Sequence, residues 1–248
     1  MTLLDETNTL IIVPAYNEQE SIVSVIKEIQ QTEFPFVVID DGSTDETRKR
    51  AIEAGARTIS LPFNFGVGGA LKCGFTYAVE SQYQAVIQFD ADGQHKSLHI
   101  PDLVASANAS NSVLIIGSRH RSIENTNDVS NFKKFVMKML VRLVQKQTNV
   151  ELTDTTSGFR LIREPLLSAV SKSFPTNYLG DTFEALFVIG KNGYQISEIP
   201  TAMRNRVAGT PSSNFLGSTL QLAKSLFVSL TGLHFRIPHT DENSGIQS

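Results

Sequence analysis

The sequence predicts an α/β protein, with a mostly parallel sheet covered by helices on both faces. Three observations carry this. Short, near-continuous apolar runs recur along residues 9–121, as strands buried on both faces require. Segments with apolar residues at helical spacing separate them, giving the order β-α-β-α-β-α-β-α-β. Polar residues gather at the C-terminal ends of the apolar runs, where sheets of this kind bind ligands.

Each element follows from local chemistry. "TLIIVPAYNE" (9–18) is a buried strand ended by Pro14. "SIVSVIKEIQQ" (21–31) is an amphipathic helix with Ser21 as its N-cap. "FPFVVIDDGS" (34–43) is a second strand, ending in Asp40, Asp41 and Gly42. "TDETRKRAIEAG" (44–55) is a helix with acids in its first turn, a cap at Ser43 or Thr44, and Gly55 at its end. "ARTISL" (56–61) is a short strand, and "GGALKCGFTYAVES" (68–81) a helix. "QAVIQFD" (84–90) is a strand, "PDLVASANAS" (101–110) a helix opened by Pro101, and "SVLIIGSRHR" (112–121) a strand.

Beyond residue 125 the pattern changes. "NFKKFVMKMLVRLVQKQ" (131–147) has one apolar helical face and a basic remainder. "TDTTSGFRLI" (153–162) is a loop entering a strand, and "LGDTFEALFVIGKNG" (179–193) a helix stopped by Gly193. "YQISEIP" (194–200) is a strand, and "RNRVAGTPSSN" (204–214) a basic, flexible loop. Residues 215–235 form a weakly amphipathic helix. Residues 1–240 read as one domain and 241–248 as a disordered tail.

Composition narrows the function. A chain of 248 residues, 41% hydrophobic and 19% charged, has a full core. A net charge of −3 argues against a general nucleic-acid binder. The lone Cys73, in apolar "ALKCGF", reads as a structural thiol and fits a reducing cytoplasm. The acidic N-terminus is unlike a secretory signal, and no run of about 18 apolar residues predicts a membrane span.

The chemistry concentrates in a few places. In "QFDADGQH" (88–95), Asp90 and Asp92 are two like charges one residue apart after an apolar run. In extended chain they point to the same side, which invites a cation. A hard ion, Mg²⁺ or Mn²⁺, takes a few carboxylate oxygens and completes its shell with water and phosphate. Gln94 and His95 lie close by as further ligands or as supports for them. A solvated turn is the plainer reading of "DADG". Asp40 and Asp41 fit either a turn or a contact to a ribose or base. "FNFGVGGAL" (63–71) fits a tight turn or a nucleotide contact, but lacks the Walker lysine.

"VPAYNEQESI", "VIDDGSTDET", "FDADGQH", "GSRHR" and "TSGFR", in this order, resemble family 2 glycosyltransferases of the GT-A (Rossmann-like) fold. The resemblance spans roughly residues 9–210 and is strongest to the dolichyl- and polyprenyl-phosphate sugar synthase branch. It implies that Pro14, Ala15, Tyr16 and Glu18 form the first nucleotide-binding loop and that Asp41 holds the nucleoside. It implies Mg²⁺ or Mn²⁺ and the donor diphosphate on Asp90 and Asp92, with Gln94 as another metal ligand. It puts Arg119 in a G-S-R segment and Ser157 to Arg160 on the acceptor side.

The implied reaction is inverting sugar transfer from a nucleotide-diphosphate sugar to a polyprenyl phosphate. A saccharide or lipid-linked glycan acceptor would need a general base, for which Asp181 and Glu184 stand available. The family often has an acidic pair on the matching helix, though the spacing here is D-x-x-E. Acids at a helix N-terminus are their plainer reading. A phosphate acceptor needs cations instead: Arg119, Arg121, Arg160, Arg204 and Arg206 qualify, the last two on a loop that could clamp phosphate. A non-catalytic nucleotide-sugar-binding module is the rival of another class. A sugar nucleotidyltransferase would show a glycine-rich loop where "PAYNE" stands. The basic helix 131–147 and the acid-free segment 215–237 predict peripheral contact with the inner face of the cytoplasmic membrane.

Overall fold

A computed structural model describes residues 1–119, 157–174 and 193–204. Its elements are β1 (Thr9–Ala15), α1 (Ile22–Ile29), β2 (Phe36–Asp40), α2 (Thr47–Glu53), β3 (Thr58–Ser60), α3 (Val67–Glu80), β4 (Ala85–Gln88), α4 (Ile100–Ala109), β5 (Leu114–Arg119), β6 (Arg160–Arg163), α5 (Leu166–Ser173) and β7 (Ile196–Thr201). The predicted helices 131–147, 179–193 and 215–235 and the tail lie outside the described residues.

Among the described residues, seven strands form one sheet in the order β3-β2-β1-β4-β6-β5-β7. Every pairing is parallel except those of β6, which runs antiparallel to β4 and β5. Alternation along the strands builds two cores. Leu10, Ile12, Val37, Ile39, Val86, Leu114, Ile116 and Ile162 point to one side, with α3 and α5. Ile11, Val13, Val38, Ala85, Ile87, Ile115 and Leu161 point to the other, with α1 and α4. Ile22, Val25, Ile26 and Ile29 recur at helical spacing on α1 and are all buried. Each such side chain contributes about 1.5–3 kcal/mol relative to exposure. On the opposite face α3 comes close to β1, because a Cβ at Gly74 would stand 3.0 Å from Ile12 Cδ1.

The chain leaves β1 towards β2 on one side and later enters β4 on the other. The sheet order therefore reverses at β1/β4, the switch point where α/β sheets open a crevice at their C-terminal ends.

Several local expectations need correction. β1 does not end at Pro14 but continues through it to Ala15. Ile12 O accepts from Phe89 N–H, so alternation turns the Pro14 nitrogen towards β4. The β1–β4 ladder has already ended at Ile12–Gln88, and no ladder bond is lost. Ser21 occupies the N-cap position of α1, yet its hydroxyl donates to Glu18 instead of accepting from the helix. Helix α2 begins at Thr47, so Ser43 and Thr44 do not cap it and its first turn holds no acid. Asp45 precedes it and accepts from the Thr47 N–H at 2.9 Å. Gly55 does end it, at φ +85°. Helix α5 was not anticipated: "PLLSAVSKS" is short, and serines dilute its apolar spacing.

Candidate active site

The loops after β1 and β2 are bound to each other. Asn17, at φ 54°, donates its N–H to Ser43 Oγ (3.0 Å), and its Oδ1 accepts from Thr44 N–H (2.9 Å). Glu18 N–H donates to Thr47 Oγ1 at 2.7 Å, and Gln19 N–H to Asp45 Oδ2 at 3.3 Å. This zip leaves Tyr16 43% exposed at the mouth of the crevice. Pro14 and Ala15 lie beneath it in β1, and Glu18 is half-buried.

Asp40 and Asp41 are both buried at the end of β2. Asp41 anchors the glycine-rich loop: its backbone N–H donates to Ala15 O, and its Oδ1 accepts from Phe65 N–H, both at 2.9 Å. Burial pushes the Asp41 carboxyl above its ordinary value. The N–H groups of Phe65 and Gly66 oppose that shift, and neighbouring Asp40 adds to it. Gly42 is required twice over. Its φ is +69°, and a Cβ there would meet Phe63 carbonyl carbon at 2.5 Å.

The acidic pair sits one step beyond expectation. The β4 ladder stops at Gln88, and Asp90 and Asp92 lie in the turn that follows, with Gly93 at φ 75°. Asp90 Oδ1 accepts from Gln88 Nε2 at 3.1 Å, and Oδ2 meets His95 Nε2 at 3.0 Å. His95 is buried, stacked on Phe159 at 5.0 Å and edge-on to Phe89 at 5.7 Å. Asp90 itself keeps 35% of its side-chain surface exposed. Burial would raise its carboxyl. Hydrogen bonds from His95 and Gln88 and the charges of His95 and Arg160 outweigh that and hold it below its ordinary value. Asp92 is buried, and its Oδ1 accepts from Gln94 N–H at 3.0 Å.

The "SGFR" segment closes over this carboxylate. A Cβ at Gly158 would overlap both Asp90 oxygens. Ser157 Oγ donates to Gly117 O at 2.6 Å and accepts from Phe159 N–H at 3.2 Å, tying the segment to β5. Arg160 is buried in β6 opposite Gln88, and its Nε donates to Ser157 O at 2.6 Å. The structure therefore brings Asp90, Asp92, Gln94 and Arg160 around one turn, while Asp41 and the 14–18 loop close the two neighbouring strand ends.

Arg119 is the last residue of β5. Its side chain lies outside the described residues, as do Asp181, Glu184, Arg121 and Arg206. Arg204 is described, and its guanidinium engages Glu28 at 2.5 Å. Sequence reasoning put Gly158 on the acceptor side and missed its contact with Asp90, and it gave Gln88 no role. A glycine inside "TSGFR" was the available signal for close approach, but nothing in the sequence names Asp90 as what approaches. Cys73 is half-buried against the core, and burial raises its thiol, as suits a structural role.

The donor set fits a hard divalent cation. Asp90 and Asp92 offer carboxylate oxygens, and the hydrogen bonds to Asp90 leave further lone pairs on each oxygen. Among the described residues no third His, Cys, Asp or Glu joins them in a metal-sized group.

The family model for Glycosyl transferase family 2 matches residues 10–170. The chain belongs to this family. It is 27% identical over 208 residues to the UDP-N-acetylglucosamine–dolichyl-phosphate N-acetylglucosaminyltransferase of Methanococcus voltae, covering 77% of this chain and 83% of that one. It is 26% identical to the undecaprenyl-phosphate mannosyltransferase of Micrococcus luteus over 81% of this chain and 85% of that one. Among solved structures, glucosyl-3-phosphoglycerate synthase from Mycobacterium tuberculosis, in complex with Mn²⁺, UDP-glucose and phosphoglyceric acid, superposes with a TM-score of 0.67. Identity there is 23%, over 94% of this chain and 81% of that one. The fold of this glycosyltransferase is thus GT-A-like.

Proposed function

We propose that this family 2 glycosyltransferase moves a sugar from a nucleotide-diphosphate sugar to a polyprenyl phosphate with inversion at the anomeric carbon. The observation that carries the reading is the Asp90 carboxylate. It is held ionised by His95, Gln88 and Arg160 at the switch point, one strand away from the β1 loop and two from the β2 loop. The two named relatives that act on polyprenyl-type phosphates support the acceptor.

Asp41, Tyr16 and Glu18, with Pro14 and Ala15 beneath, form the nucleoside side. Asp90, Asp92 and Gln94 form the diphosphate side. A divalent cation, Mg²⁺ or Mn²⁺, on these three would neutralise the leaving nucleoside diphosphate. Arg160 adds fixed positive charge beside Asp90. The acceptor phosphate is largely dianionic at pH 7, because a monoester's second pKa is about 6. It needs no proton removed, so the chain's task is to hold it in line with the anomeric carbon, opposite the leaving group. Arg119 and Arg206 are assigned to that phosphate. Asp181 and Glu184 are not required for this acceptor; a glycan acceptor would need one of them as base.

Among the described residues no helix is long and apolar enough to cross a membrane. Segments 131–147 and 215–237 are proposed to bring the enzyme to the cytoplasmic membrane face, where the lipid lies.

The test is transfer of label from nucleotide sugars to a polyprenyl phosphate and, in parallel, to oligosaccharides. Base-labile, lipid-extractable product supports the reading. Transfer only to saccharide, lost in Asp181→Asn or Glu184→Gln, would move the acceptor to the glycan class.

A further inference from the structure

Glu28 lies on α1, and sequence reasoning gave it no role. Its two carboxylate oxygens hold two different segments. Oε1 accepts the backbone N–H of Ser97 at 2.9 Å, in the loop that follows Asp92 and Gln94. Oε2 accepts from Arg204 Nη1 at 2.5 Å, where the chain has left β7. The Glu28 side chain is only 18% exposed, so this pair is better shielded than an ordinary surface ion pair. The Arg204 backbone closes the circuit, its N–H donating to Gln94 O at 2.9 Å. One residue pair earlier, Ala202 N–H donates to His99 Nε2 at 3.1 Å, and His99 Nδ1 meets Asp102 at the same distance.

The tethers are unequal in what they support. The turn carrying Asp90, Asp92 and Gln94 is secured without Glu28, through the His95–Asp90 bond, the stack on Phe159 and the Gln94–Asp92 bond. Among the described residues, the chain after Thr201 is tied down by three contacts: Ala202 to His99, Arg204 to Gln94, and Arg204 to Glu28. The last one holds a long side chain at the end of the described segment, against α1. We infer that Glu28 is a positioning residue: through Arg204 it fixes the exit from β7 against the Asp92–Gln94 turn, two residues in sequence before Arg206, the proposed acceptor ligand. Arg204 is then a strut, not a ligand of the acceptor phosphate. The inference rests on the proposed acceptor reading only in giving Arg206 its task.

Glu28→Gln isolates the contact, since the amide oxygen still accepts from Ser97 while the charge facing Arg204 is gone. Two readouts separate the possibilities. Amide hydrogen exchange in a peptide covering 202–204 should rise at least severalfold in Glu28→Gln and equally in Arg204→Gln. The double variant should be no worse, and Arg204→Lys should restore most of the protection. Exchange across 88–95 should stay unchanged. With whichever acceptor the wild type uses, acceptor KM should rise about tenfold in Glu28→Gln, with donor binding unaltered. If acceptor KM is unchanged or falls in Glu28→Gln while Arg204→Gln alone raises it, Arg204 binds the acceptor directly and the inference is overturned. Unchanged exchange at 202–204 overturns it as well, with no acceptor needed. A wild type inactive towards polyprenyl phosphate defeats only the acceptor reading, because the exchange experiment still decides the strut.

Discussion

Gly158 lies against Asp90 so closely that a single added carbon would overlap both oxygens of its carboxylate. This contact joins "TSGFR" to "FDADGQH", segments nearly seventy residues apart in the chain. Gly158→Ala must push either the segment or the carboxylate away. The expected result is loss of most transferase activity with a moderate fall in stability, about 1–3 kcal/mol for overpacking. A thermal melt and a donor-binding titration check it. An alanine variant with native donor affinity would show that Asp90 can move without consequence.

The hydrogen bonds at Asp90 make a pH prediction. Its carboxyl sits below its ordinary value in the fold, so its stabilising contribution is complete above the unfolded value and is lost as pH falls through the folded one. Asp90→Asn should therefore melt below the wild type at pH 7. The gap should close as the pH drops under about 4. A gap that does not change with pH would contradict this sign.

Asp41 should behave in the opposite way. Burial raises its carboxyl, so the ionised form at pH 7 is a burden on the fold. Asn keeps an oxygen for the Phe65 N–H without the charge. Asp41→Asn should be at least as stable as the wild type at pH 7, with the advantage shrinking in acid, yet bind nucleoside diphosphates more weakly. Stability and function would then part at one residue. Calorimetric melts beside a UDP and GDP titration read both.

His95 should be needed for support. Removing its ring takes away the bond to Asp90 and the stack on Phe159. His95→Ala should cost about 2–4 kcal/mol of stability from the cavity and the lost partner. Donor affinity should fall with it, and His95→Asn should recover part of the affinity. Unaltered donor binding in His95→Ala would show that Asp90 is oriented by other means.

Much of the fold was legible because both-face burial leaves its mark on composition. "LIIV", "FVVI", "AVI" and "VLII" are runs that few other structures explain, and each became a strand at or near its expected place. The direction of β6 was not legible. "RLI" is equally apolar in either direction, and only its pairing with Gln88 and Ile116 reveals the antiparallel entry. Helix caps failed for a related reason. The Ser43 and Thr47 hydroxyls are drawn into bonds between the loops after β1 and β2, with partners distant in sequence, while the Ser21 hydroxyl turns back to Glu18 three residues earlier. At the site, the charged residue types announced themselves. What holds them, Gly158 under Asp90 and Glu28 against Arg204, depends on segments the chain brings together only when folded.

The central claim is that Asp90 and Asp92 hold a divalent ion and the donor diphosphate. The most direct test is calorimetric titration of UDP-, GDP- and dTDP-sugars into the wild type and Asp92→Asn, each with Mn²⁺ and with chelator. The account predicts that one donor binds the wild type in Mn²⁺ alone, and that chelator and Asp92→Asn each abolish the binding. Binding that survives both would contradict it, and would leave the two carboxylates as members of a turn.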